Sequence, residues 1–271
     1  MKYSLRQIFA ARFDPDRSRS RKIEERLIPI NAIGKILSPY PTYLYLNLGL
    51  KPDHVTFISF IFIGFGAYFF IVGKPVAAVV SLLLFILHDS ADGDMARVSG
   101  KTSYGALIDS FGADIFYSAI PVSAGYFLYV KNIFVGPITP SFILLISAFT
   151  SISFLFYRLM NTKILTFFWD KKGGGAKEKT SIYDDVSEAT SLKGLFVHLA
   201  KLYHHAFIKG NFFAEPGIVT WLTVLVFLEQ WELLGGYLIL ILLYNMGYLI
   251  PNFIRIYLSF LRYERRKNGF Q

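Results

Sequence analysis

Six apolar runs follow one another along the chain: His54–Gly73, Pro75–Val98, Tyr104–Val130, Thr139–Leu159, Gly217–Leu228 with its flanks, and Leu233–Leu261. A helix that crosses a bilayer needs about 20 mostly apolar residues, so each run is a candidate span. Short polar links join most of them, and the exception is a long insert over 161–215. Ahead of the first run, Ile23, Leu27, Ile30, Ile33 and Leu37 recur at roughly helical spacing, interrupted by Pro29. That spacing predicts a helix lying in the membrane interface. Within the insert, Leu192, Leu195, Phe196, Leu199, Leu202 and Ala206 predict a second one, with Lys193, Lys201 and Lys209 nearby. The expected fold class is therefore an all-α integral membrane protein with six transmembrane helices and N-terminal and insert interfacial helices. Its expected parts are a basic cytosolic arm with the interfacial helix over 1–53, a six-helix catalytic domain over 54–261, and a basic cytosolic tail over 262–271. The first 53 residues hold no long apolar run, so no cleavable signal peptide is expected.

Composition sharpens this picture. Hydrophobic residues make up 54% of the chain and charged ones 17%, against about 25% charged in an average soluble domain. There is no cysteine, which excludes disulfides, thiolate catalysis and zinc–thiolate sites. The formal charge is +9. With the N-terminus inside, only Lys74 and Lys131 of the 28 Lys and Arg fall on outside links. This asymmetry places both termini and the insert in the cytoplasm. The basic residues then form a collar against anionic lipid, and no nucleic-acid partner is needed. The expected location is the inner (cytoplasmic) membrane. The insert stretch WDKKGGGAKEKTS reads as a linker, because its glycines lack the spacing of a phosphate loop. His204 and His205 are adjacent, so about 100° of helix rotation separates them and they suit a polar face better than a metal.

One stretch conflicts with a lipid environment. HDSADGDMARVSGKTSYGALIDSFGAD carries Asp89, Asp92, Asp94, Asp109 and Asp114. The end of a span and its loop account for Asp94 and Arg97. They do not account for Asp109 and Asp114, one to two turns into the next run. Ionisable residues in a span mark function by default. Asp89 and Asp92 project within about 60° of each other on a helix, and Gly93 and Ala96 on that face are small enough to admit a bulky ligand. The short link over 99–103 makes the second and third spans antiparallel neighbours, which brings Asp89, Asp92, Asp109 and Asp114 to one end. Oxygen-only donors suit Mg²⁺ or Mn²⁺. Hard cations beside a basic collar point to a phosphate-bearing substrate.

These residues resemble the signature of the CDP-alcohol phosphotransferase (CDP-alcohol phosphatidyltransferase) family, D-x-x-D-G-x-x-A-R followed by G-x-x-x-D-x-x-x-D. The chain has Asp89, Asp92, Gly93, Ala96 and Arg97 at the fixed positions of the first half, then Gly105, Asp109 and Asp114. Pro52 and Thr56 resemble the family's opening P-N-x-x-T, with Asp53 in place of Asn. The resemblance implies transfer of a phospho-alcohol group from a CDP-linked lipid donor, with CDP-diacylglycerol the favoured one, to an alcohol or alcohol-phosphate acceptor, releasing CMP in phospholipid biosynthesis. It implies Mg²⁺ or Mn²⁺ held by Asp89, Asp92, Asp109 and Asp114, with Asp114 also the catalytic base. It places the CDP against Pro52, Thr56, Asp89, Gly93, Ala96 and Arg97. A second copy of the chain is a candidate partner.

The spacing departs from the signature at one place. Asp109 and Asp114 are five residues apart where the family has four, and on a regular helix they diverge by about 140°. Either Ser110 takes the place of the third aspartate or a π-bulge near Gly112 restores the alignment. The expectation is the bulge, since such irregularities gather at functional sites. Lys101, Arg158, Lys163 and Arg255 sit near the cytoplasmic boundary, and Lys101, Arg158 and Arg255 are the candidates for acceptor binding. The alternatives are a Mg-dependent intramembrane prenyltransferase and a non-catalytic nucleotide- or cation-binding membrane protein. The first would show a second Asp-rich motif in a later span, yet Asp170, Asp184 and Asp185 lie in the polar insert. A cation transporter would not need Gly93, Ala96 and Arg97 at this spacing.

Overall fold

A computed structural model describes residues 3–12, 33–34, 36–100, 102, 104–171, 213 and 215–268. Among the described residues there are eight named helices: α1 (Leu5–Arg12), α2 (Pro39–Asn47), α3 (Pro52–Ile71), α4 (Pro75–Ser99), α5 (Gly105–Val130), α6 (Pro140–Lys171), α7 (Glu215–Phe227) and α8 (Trp231–Asn268). Four of them start on a proline, Pro39, Pro52, Pro75 and Pro140. Proline has its φ preset for the first helical turn, where its missing N–H costs nothing.

The tight links α3–α4, α5–α6 and α7–α8 open with one device. After α3, the Gly73 N–H bonds to the Phe70 carbonyl and the Lys74 N–H to that of Phe69, with Gly73 at φ 75°. The same paired bonds follow α5 at Asn132 and Ile133, and α7 at Glu229 and Gln230. This Schellman turn satisfies the last carbonyls of a helix and reverses the chain.

Helix α4 is central: it packs on α3, α1, α2 and α7, while α5 packs on α3 and α6, and α8 on α6. The main core is built from Ile63, Leu82, Phe116, Ile120, Leu222 and Leu234, with their neighbours. A second, smaller cluster joins Ile8, Leu46, Val55, Ala91 and Met95, and it fastens α1 and α2 to the bases of α3 and α4. Outward, Phe57, Ile61, Phe65 and Tyr68 form an exposed apolar stripe along α3. In water such a stripe would be a liability; against lipid it is the solvated face.

Among the described residues, three helical segments are long and apolar enough to cross a membrane: Pro52–Ile71, Pro75–Ser99 and Pro140–Leu159. They coincide with the first, second and fourth apolar runs. The third run is the 26-residue helix α5, which continues through Pro121. The fifth and sixth runs form the shorter apolar helices Glu215–Phe227 and Trp231–Gly247. Most of the expected N-terminal interfacial helix and all of the insert helix lie outside the described residues. Helices α1 and α2, which the periodicity did not predict, are what the described N-terminal part contains.

Candidate active site

The site lies where the C-terminal half of α4 meets the first turns of α3, α5 and α7. Asp89 and Asp109 line a cavity of about 150 Å³ together with Thr56, Phe60, Ala113 and Glu215. Asp92 stands beside it, buried, and accepts a hydrogen bond from the Thr56 hydroxyl at 2.7 Å. Asp109 and Glu215 are within electrostatic reach of Asp89, and Asp89 and Asp109 are within reach of Asp92. The antiparallel arrangement read from the short link thus brings Asp89, Asp92 and Asp109 together.

Behind this face, Asp94 organises a buried cluster. Its Oδ2 takes the Arg12 guanidinium and the Ser38 hydroxyl, and its Oδ1 takes Arg97. Arg12, Ser38 and Asp94 are almost wholly buried, whereas Arg97 keeps a third of its side chain open. Arg97 is thus held by its neighbour one turn back, with its guanidinium 3.7 Å from where a Cβ on Gly93 would stand. On the next turn, His88 Nδ1 donates to the Leu84 carbonyl at 2.7 Å, which leaves Nε2 to accept from the Tyr45 hydroxyl at 2.9 Å. Burial raises the Tyr45 phenol above its ordinary value and keeps it a donor.

Asp114 lies elsewhere. Helix α5 is α-helical throughout Gly105–Val130, so the expected π-bulge is absent. With five residues between them, Asp109 and Asp114 diverge by about 140° on such a helix. Asp114 faces α6, where it pairs with Arg158 Nε. The Arg158 Nη2 donates to the Ser110 carbonyl at 2.9 Å and its hydroxyl at 3.0 Å. These three residues line a separate cavity of about 650 Å³, otherwise apolar, between α5 and α6. Ser110 therefore does not stand in for the third aspartate either. Gly112, expected at the bulge, has a different role: a Cβ there would lie 2.4 Å from the Phe60 ring, so the missing side chain lets α3 approach α5.

The remaining expected residues are distributed as follows. Pro52 is buried at the start of α3, one turn before Thr56. Gly93 and Ala96 are partly buried on α4. Asp53 accepts from the Thr102 hydroxyl at 2.6 Å and ties the start of α3 to the α4–α5 link. Lys101 lies outside the described residues, and of Arg255 only the backbone, in α8, is described. Glu215, Asp94 and Tyr45 were not anticipated. An acidic residue directly before Pro216 at the mouth of an apolar run is a visible signal for Glu215.

Oxygen donors around an enclosed cavity suit a hard divalent cation. Among the described residues no three acidic or imidazole groups close on a single point. The carboxylates border a space instead, as a site must that admits a phosphate group together with its cation.

Residues 50–228 match the sequence model of the CDP-alcohol phosphatidyltransferase family. An uncharacterized protein of Aquifex aeolicus is 34% identical over 42% of this chain and 58% of its own length. An archaetidylinositol phosphate synthase of Pyrococcus horikoshii is 31% identical over 30% of this chain and 40% of its own. A phosphatidylinositol phosphate synthase of Streptomyces avermitilis is 35% identical over 28% of this chain and 32% of its own. The chain thus spans between about a third and three fifths of the length of these relatives.

Proposed function

The chain belongs to the CDP-alcohol phosphatidyltransferase family, and on that premise we propose that it transfers a phosphatidyl group from CDP-diacylglycerol to a polyol phosphate, releasing CMP. The observation that carries this reading is the meeting of Asp89 and Asp109 at one cavity with Asp92 within electrostatic reach of both. All three are motif positions, and all lie within the matched segment.

Asp89, Asp92 and Asp109 would hold Mg²⁺ or Mn²⁺, which when bound supplies positive charge against the donor diphosphate and the departing CMP. Thr56 fixes the Asp92 carboxylate. Pro52, Gly93, Ala96 and Arg97 are assigned to the CDP. Arg97 is the cation of that set, oriented by Asp94. In the reaction the acceptor oxygen bonds to the β-phosphorus, the anhydride bond to CMP breaks, and the hydroxyl proton passes to a carboxylate at the cavity. A phosphorylated acceptor is supported by the names of two relatives, an archaetidylinositol phosphate synthase and a phosphatidylinositol phosphate synthase. Lys101 and Arg255 are assigned to the acceptor's phosphate. Arg158, held by Asp114 and Ser110, is the weaker candidate.

We place the site at the cytoplasmic face of six spans. The three long apolar helices, the 26-residue α5 and the two shorter apolar helices support that count, and the Lys and Arg asymmetry supports the orientation.

The test is CMP release from CDP-diacylglycerol by the full-length protein, across inositol phosphate, glycerol phosphate, inositol and serine. Release that needs a divalent cation, needs a phosphorylated acceptor and is lost in Asp89→Asn supports the reading. Full release in EDTA or in Asp89→Asn would defeat it. Diphosphate release from a prenyl diphosphate, without CMP chemistry, would favour the prenyltransferase.

A further inference from the structure

The cavity contains a carboxylate that the motif does not supply, and it lacks one that the motif calls for. Ala113, four residues after Asp109, lines the cavity. That is where the family pattern puts its last aspartate. The aspartate of this chain comes one residue later and faces Arg158. Glu215, the first residue of α7, lines the cavity beside Ala113, Asp89 and Asp109. Tyr117, one turn beyond Ala113 on α5, lies within electrostatic reach of Glu215. Arg158 stands over the Tyr117 ring at 5.9 Å. Asp114 thus reaches the cavity only through Arg158, Tyr117 and Glu215 in turn.

We propose that Glu215 takes the fourth carboxylate place of the site, contributed by a later helix in compensation for Ala113. The proposal rests on the transfer reaction proposed above. Two features carry it: Glu215 lines the cavity together with Asp89, Asp109 and Ala113, and it is within electrostatic reach of Asp89. A shift of one residue in α5 turns a motif aspartate to the helix flank. A glutamate, one methylene longer than an aspartate, enters from the opposite wall.

The experiment uses the full-length protein in detergent, with Mn²⁺ binding read by electron paramagnetic resonance and CMP release read in parallel. Glu215→Gln keeps the side-chain shape and is expected to weaken Mn²⁺ at least ~10-fold. Asp114→Asn, which faces the other cavity and pairs with Arg158, is expected to weaken Mn²⁺ less than Glu215→Gln does. Ala113→Asp, added to Glu215→Gln, is expected to recover most of the lost Mn²⁺ affinity and part of the release. Unchanged Mn²⁺ binding in Glu215→Gln, or a loss in Asp114→Asn as large as in Asp89→Asn, would overturn the proposal. If Glu215→Gln does not fold, the Asp114→Asn comparison decides alone. Asp89→Asn separates the two levels: if it too binds Mn²⁺ normally, the metal-dependent reading has failed. If it loses Mn²⁺ while Glu215→Gln keeps it, only the Glu215 assignment has failed.

Discussion

Arg12 and Asp94, 82 residues apart in sequence, form an ion pair in which both side chains are almost wholly buried. The pair fastens the N-terminal helix to the middle of the D-x-x-D-G-x-x-A-R signature. Asp94 falls at one of that signature's variable positions, yet it holds Arg97, which is a fixed one. The N-terminal helix is thus coupled to Arg97 through a single carboxylate.

Removing one member of a buried pair strands the other's charge, at a cost of about 3–5 kcal/mol. Asp94→Leu removes the buried carboxylate that Arg12, Ser38 and Arg97 share and is expected to lose about that much, with a matching drop in thermal midpoint in detergent. Arg12→Met should cost less, because Ser38 and Arg97 still serve Asp94. The double variant should be less damaged than Asp94→Leu alone. Additive losses in the double variant would show that the pair is not coupled.

The Thr56 hydroxyl is the hydrogen-bond donor to Asp92 from the opposite helix. Thr56→Val keeps the shape and removes the bond. Loss of a partner that orients a metal ligand costs about 10–100-fold in metal affinity or activity. The Mg²⁺ concentration for half-maximal CMP release is therefore expected to rise by about that factor, with the protein still folded. An unchanged Mg²⁺ requirement would mean that Thr56 does not position Asp92.

The apolar helices and the gathering of Asp89, Asp92 and Asp109 were legible because each rests on local rules. Run length marks the helices, and a three-residue spacing puts Asp89 and Asp92 on one face. Those rules stop at contacts between distant segments. Glu215 lies 126 positions after Asp89 in the sequence, and only the packing of α7 on α4 brings it to the cavity. Asp94 was assigned to a helix end, since its partner Arg12 sits in a basic arm that reads as solvated. The Asp109–Asp114 spacing was read correctly as an anomaly, but the inferred remedy was local, a bulge. The structure keeps the helix regular and changes which residues face the cavity. Gly112 looked like the weak point of α5, because sequence does not reveal that Phe60 packs against it.

The proposed orientation can be tested at the turns. Those at Gly73, Asn132 and Glu229 close α3, α5 and α7, whereas the aspartates sit towards the C-terminal end of α4 and the start of α5. The chain has no cysteine, so single-cysteine variants report one position each. In sealed inside-in vesicles, Gln230→Cys is expected to label with an impermeant maleimide from outside, and Ser181→Cys only after permeabilisation. Outside labelling of Ser181→Cys would invert the topology and remove the site from cytosolic CDP-linked substrates.

The last prediction concerns the approach of α3 and α5. A Cβ on Gly112 would lie 2.4 Å from Phe60 Cε1 and 3.2 Å from Cδ1. Gly112→Ala would favour the helix by local propensity, so a neutral or stabilising outcome is what an isolated helix would give. Here the added methyl meets a ring that itself lines the cavity. Overpacking of this kind costs about 1–3 kcal/mol. The ring must rotate or α3 must move away from α5. Thr56 is one turn before Phe60, so movement of α3 also draws Thr56 from the aspartates. Gly112→Ala is therefore expected to lower both the thermal midpoint and CMP release. Phe60→Leu should restore most of each in the double variant, since a smaller, flexible side chain can yield to the methyl. If Gly112→Ala melts and turns over as the parent does, the close approach at Gly112 is not what sets the spacing of α3 and α5.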